Sequence, residues 1–151
     1  MATTSFIQGA RTSLLDLGTL ASATYIASSA YNASTNDPWD VVIEVEATPA
    51  TGTLASNKQV VVFIQASLDG TNFQTGPTSS TVATDEPDLT LLGTVPCNTN
   101  TSGTTVHRKM FSVMQSLGFV PAQFKIVVKN ETGVALASGN VYTAEITGVS
   151  A

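Results

Sequence analysis

Two side chains in this 151-residue sequence could form a nucleophilic pair, and each is the only one of its type: Cys97 and His107. A thiol attacks only when a base takes its proton, and the base must itself be oriented by an acid such as Asp88. Spacing along the chain does not bring such groups together. The simpler expectation is a partly buried thiol and an imidazole carried on a strand. Two candidate ligands cannot build a Cys/His zinc site. Asp85, Glu86 and Asp88, with Asp69 as a further donor, could offer oxygens to Ca²⁺. Their spacing lacks the alternating acids and glycine of calcium loops, and Pro87 interrupts it, so a solvated acidic loop is expected. Gly52, Gly70 and Gly93 are isolated and form no phosphate-cradling pattern. Trp39 and Phe73 flank strong strands and could stack on a sugar, although aromatics so placed are more often core edges. The expectation is a chain that is not an enzyme, with no catalytic residue, metal or cofactor.

The elements that must position these residues follow from composition. Charged residues are 11% and hydrophobic residues 42% of the chain. Serine and threonine together are about a quarter. Threonine suits strands and serine suits turns, so the composition points to an all-β protein with polar, weakly charged faces. Such faces are cheap to desolvate against another protein. The net charge of −5 argues against nucleic acid as a partner, because phosphate binding needs clustered Lys and Arg. Only Arg108-Lys109 are adjacent. No apolar run is long enough for a membrane helix, and Met1 to Phe6 do not read as a secretory signal. A single cysteine forms no intrachain disulfide, and synthesis in a cytoplasm is expected. The triplets at Asn32, Asn100 and Asn130 fit the Asn-x-Ser/Thr pattern by chance in so hydroxyl-rich a chain.

Along the sequence, 1–12 reads as a flexible N-terminal arm and 13–151 as one β-sandwich domain. Between Leu14 and Tyr31 the alternation implies two strands or one bent strand, with Gly18 as a bulge; a helix over 14–26 is disfavoured by Ser and Thr. Trp39 to Ala47 is a strand with Val41, Ile43 and Val45 on one face and Glu44 and Glu46 on the other. Lys58 to Leu68 is another, and antiparallel pairing with Trp39–Ala47 is expected. Its run Val60 to Ile64 suits a buried pleat. Residues 71–88 form a long irregular loop, a candidate contact surface. Further strands fall at 89–95, 123–130 and 140–149, while 106–117 fits either strand or helix spacing. This predicts an all-β, single-domain antiparallel β-sandwich, jelly-roll-like, with at most one short helix.

Gln65-Ala66-Ser67-Leu68-Asp69-Gly70-Thr71-Asn72-Phe73, with Leu15 to Ser22 upstream and a strand carrying Glu44 and Glu46, resembles small virion proteins of tailed bacteriophages. The sharp segment is Ser67 to Phe73. The resemblance implies a capsid decoration (cement) protein located in the virion and made in the host cytoplasm. Its partners would be the major capsid protein and copies of itself, as a homotrimer, with no catalytic residue. Candidate assembly contacts are Phe6, Ile7 and Arg11 of the arm, with Phe73, Asp85, Glu86 and Asp88. Alternative readings are a tail-tube or head-completion subunit, a carbohydrate-binding β-sandwich and a thiol hydrolase.

Overall fold

The structure, a computed structural model, describes residues 4–52, 57–80, 86–98 and 103–150. In chain order the strands are β1 (Thr4–Gln8), β2 (Thr12–Asp16), β3 (Tyr25–Ala27), β4 (Tyr31–Asn32), β5 (Asp40–Pro49) and β6 (Gln59–Ser67). Then come β7 (Ser79–Ser80), β8 (Thr90–Pro96), β9 (His107–Ser112), the helix α1 (Val113–Leu117), β10 (Gln123–Asn130) and β11 (Leu136–Ser150). They form two antiparallel sheets. The first runs β1-β11-β5-β9, with β2 also on β11; the second runs β7-β3-β10-β6-β8, with β4 also on β10. The fold is an all-β sandwich with one short helix, as the composition predicts. No helix among the described residues is long and apolar enough to cross a membrane.

Alternation decides what each strand buries. Val41, Ile43, Val45 and Ala47 of β5 point inward, where they meet Val60, Val62 and Ile64 of β6 and Phe124, Ile126 and Val128 of β10 in one core. Strands β5 and β6 therefore face each other from opposite sheets and are not hydrogen-bonded neighbours, contrary to expectation. Strand β5 pairs with β11 and β9, and β6 pairs with β10 and β8. The physical reason lies in β6 itself. Its residues from Val60 to Gln65 are all buried, so it needs cover on both faces.

That second cover is the long loop. Val61 and Phe63 join Tyr25, Val127 and Leu89 in a smaller cluster on the outer face of the second sheet. The described residues of the 71–89 connection lie over it as a strap. Gln74 exchanges backbone and side-chain bonds with β6: its N–H donates to the Ala66 carbonyl (3.0 Å), its Oε1 accepts from Ala66 N–H (2.9 Å) and its carbonyl accepts from Gln65 Nε2 (2.5 Å). Glu86, in a 3₁₀ turn over Glu86–Asp88, accepts from the Tyr25 hydroxyl and from Lys129 Nζ (2.9 Å). Burial works against the Lys129 charge, yet its bonds to Glu131 and Glu86 raise its pKa above the ordinary lysine value.

Three other expectations change. Residues 4–8 of the expected arm form β1 and pair with β11, Phe6 opposite Gly148. Gly18 is no bulge: β2 has ended, and the Asp16 carboxylate accepts from Gly18 N–H (2.7 Å) to start a turn. The ambiguous 106–117 segment is strand and helix in succession. Ser112 caps the helix, its Oγ accepting from Gln115 N–H (2.9 Å), and Gly118 at φ 79° ends it.

Candidate assembly surface

With the second sheet strapped, the outer face of the first sheet is the open broad face. The register places Phe6 and Gln8 of β1, Tyr142, Ala144 and Ile146 of β11, Val42, Glu44 and Glu46 of β5 and Arg108 and Met110 of β9 on that side. At one end Phe6 (63% exposed) stands edge-on to Trp39 (57% exposed), ring centroids 5.5 Å apart. Trp39 lies against the backbone of Gly148, where a Cβ would sit 2.5 Å from its Nε1. Met110, 68% exposed, stands on β9 opposite Glu44, level with Tyr142 and so away from this aromatic pair. Exposed aromatic rings in contact with each other are the composition of an interface centre.

The other end carries charge of both signs. Arg11 lies over the Tyr142 ring, 3.2 Å from its centroid, and its Nη2 donates to Glu44 Oε1 and Glu46 Oε1, both at 2.6 Å. Arg108 Nε donates to the same Glu46 oxygen at 2.5 Å. The Arg108 hydrogen bond, aided by Arg11, holds the Glu46 carboxyl below its ordinary pKa. Exposed pairs of this kind add little stability. Their effect is positional: Arg11 pins the bend between β1 and β2 onto the sheet.

Of the expected contacts, Phe6 and Arg11 lie at opposite ends of this face, and Ile7, next to Phe6 in the strand, points to the other side of the sheet. Phe73 lies elsewhere, bridged to Ser67 on the second sheet, with Lys125 Nζ 4.3 Å from its ring centroid. Glu86 is a part-buried strap anchor, while Asp88 is exposed, as a solvated acid would be, and accepts from Thr75 Oγ1 (2.7 Å). Asp85 lies outside the described residues. Trp39 is not a core edge, and Met110 was missed, although a strand reading of 106–112 aligns Arg108 and Met110 on one face.

The turn after β6 closes on itself. Asp69 Oδ1 accepts from Ser67 Oγ (3.0 Å), Thr71 N–H (2.8 Å) and Asn72 N–H (2.8 Å), while Oδ2 accepts from Asn72 Nδ2 (2.7 Å). The backbone donors of Asn72 and Thr71 hold this carboxyl well below the usual carboxylate range. A depressed folded pKa stabilises above the unfolded value and loses that effect as pH falls. The melting-temperature gap between wild type and Asp69→Asn is therefore expected to be full at neutral pH and to shrink below about pH 4. A gap unchanged from pH 7 to pH 2 in a thermal-melt series would rule this out. With its oxygens so used, Asp69 is no free calcium donor, and among the described residues no three acidic, His or Cys side chains are grouped to hold a metal ion.

Cys97 is fully buried in the main core, its Sγ donating to the Val95 carbonyl (3.3 Å). Burial pushes the thiol up to about 11, so the attacking thiolate is scarce at neutral pH. His107 stands opposite Ala47 on β9, and burial lowers its pKa. Among the described residues no hydrogen bond joins the two. Asn130 is also fully buried, so the triplet there offers no accessible glycan acceptor.

No family model and no curated protein matches this chain. Among solved structures it is similar to two of infectious bursal disease virus. For the Gt strain the identity is 14%, the TM-score 0.29, and 96% of this chain aligns with 30% of the other. For the Gx strain the identity is 12%, the TM-score 0.27, and 97% of this chain aligns with 31% of the other. The chain thus spans under a third of the length of those proteins, at TM-scores too low to argue a shared fold. What stands is the class: an all-β, single-domain sandwich with one strapped and one open face.

Proposed function

We propose that this chain is a non-enzymatic structural protein of a virus particle, a decoration protein of a tailed-phage head that docks on the major capsid protein and on copies of itself. The observation that carries the reading is the asymmetry of the sandwich: one sheet is sealed by the protein's own strap, and the other presents Phe6, Trp39 and Met110 beside a ladder of paired charges. An exposed aromatic end and a charged end on one open face suit repeated docking on a protein lattice. The Ser67–Phe73 resemblance supplies the phage context. A tail-tube subunit is less favoured, because the described residues of the loop that would reach the next ring lie on the chain's own sheet. A sugar platform is less favoured too, since Trp39 and Phe73 belong to different sheets. The protein would be made in the host cytoplasm and reside in the virion. Antibody labelling of purified particles by electron microscopy tests this. Label spread evenly over heads is expected; label confined to tails, or protein absent from the particle fraction, would overturn it.

A further inference from the structure

The four edges of the two sheets differ in how they are defended against strand pairing. Strand β9 carries Arg108 and Lys109 in sequence, which would face like charges in a second copy. Strand β8 breaks register opposite Val62/Phe63, holds Gly93 at φ 150° and ends in Pro96. The remaining edge of the second sheet is split into β7, β3 and β4, none longer than three residues. Strand β1 has no such device. Its five residues, Thr-Ser-Phe-Ile-Gln, are uncharged, contain no proline and pair with β11 without a register shift.

The direction of its backbone groups can be worked out. Gly9 N–H donates to the Glu145 carbonyl at 2.8 Å, so Gly9 bonds toward β11. Antiparallel ladders alternate, so Ile7 and Ser5 also bond toward β11, while Thr4, Phe6 and Gln8 direct their N–H and C=O outward. Among the described residues nothing pairs with that side of β1. From this we infer that β1 is a homodimerisation edge, pairing antiparallel with β1 of a second copy about a two-fold axis at Phe6. Phe6 then faces Phe6 of the partner, and Thr4 faces Gln8, giving about six backbone hydrogen bonds in a continuous sheet. The occupant is a second copy because an uncharged edge is complementary to itself under a two-fold, with no like charges opposed. The same operation sets Phe6 of the two copies side by side and covers the most exposed aromatic ring of the open face.

This pairing goes beyond the capsid reading and differs from the trimer that the phage resemblance implies. Particle labelling and solution mass can fail separately. Sedimentation equilibrium of the purified chain is expected to give twice the 15.6 kDa chain mass at micromolar concentration. Phe6→Lys, which opposes two charges on the axis, is expected to give the monomer mass. Gln8→Pro removes only an outward donor and is expected to weaken the dimer with little change in melting temperature. If either variant folds poorly, Phe6→Cys remains decisive. Residues opposed in a hydrogen-bonded pair have Cα atoms about 5.5 Å apart, within disulfide reach. Copper–phenanthroline should therefore cross-link Phe6→Cys to a covalent dimer, while Leu68→Cys, more exposed but remote, should not cross-link. A wild-type monomer or trimer overturns the inference, as does a dimer that neither Phe6→Lys nor the cysteine pair reports.

Discussion

Replacing Asn130 with alanine is expected to cost about 3 kcal/mol and to lower the melting temperature by roughly 6–12 °C. Asn130 is fully buried at the end of β10, and every polar atom of its amide is used. Its Nδ2 donates to the carbonyls of Leu20 (2.9 Å) and Val134 (2.8 Å), and its Oδ1 accepts from Thr132 N–H (2.9 Å) and Thr132 Oγ1 (2.7 Å). The side chain thus ties the β10–β11 turn to the turn after β2. Alanine leaves the Thr132 amide without its partner where water is excluded, and leaves the Leu20 carbonyl only the Leu136 N–H (3.0 Å). The Thr132 hydroxyl can fall back on the Val134 carbonyl, 2.8 Å away, which limits the loss. Asn130→Asp should cost more, because a carboxylate has no proton to offer the two carbonyls. Urea denaturation checks both. A loss under 1 kcal/mol for alanine would mean that water enters the turn.

Phe124→Ala is expected to cost about 3–5 kcal/mol, and Phe63→Ala to fall at or below the low end of that range. Both phenylalanines are buried, at 0% and 6% exposure. They differ in what surrounds them. Phe124 faces the main core, with the Tyr31 ring 5.0 Å from its own, and the two hydrogen-bonded sheets around it cannot close on the void. Phe63 lies on the other face, under the strap, and a loop can settle into the space. Cavity cost depends on how far the site relaxes, so denaturation midpoints of the two variants report the stiffness of the strap. Equal costs would mean that the strap is as rigid as a sheet.

Much of the strand pattern was legible, because alternation is a local property. Gln123–Asn130 is a strand with the bounds expected, and the acid and apolar faces of β5 are as its pattern implies. Alternation says which face is buried but not against what. The pairing of β5 with β6 was therefore misassigned, although the unbroken run Val60–Ile64 already signalled burial on both faces. The strap was illegible for the same reason. Glu86 looks like a solvated acid until Tyr25 and Lys129, distant in sequence, are placed beside it. Phe6, Ile7 and Arg11 could be singled out at the polar N-terminus. That β1 completes the chain's own sheet depends on β11, more than a hundred residues away.

The positions of β10 and β11 in the sheets have a consequence for biosynthesis. Strand β11 is the partner of β1, β2 and β5, and β10 is the partner of β3, β4 and β6, so the hub of each sheet is made last. At ribosomal speeds of about 5–20 residues per second, β6 waits roughly 3–11 s before β10 has even begun to appear. Until then its Val60–Ile64 run has only β8 to pair with, and the two sheets cannot close over a core. Closure of the two sheets thus waits for β10 and β11 to be made, and until then the chain's stickiest segment stays half-covered.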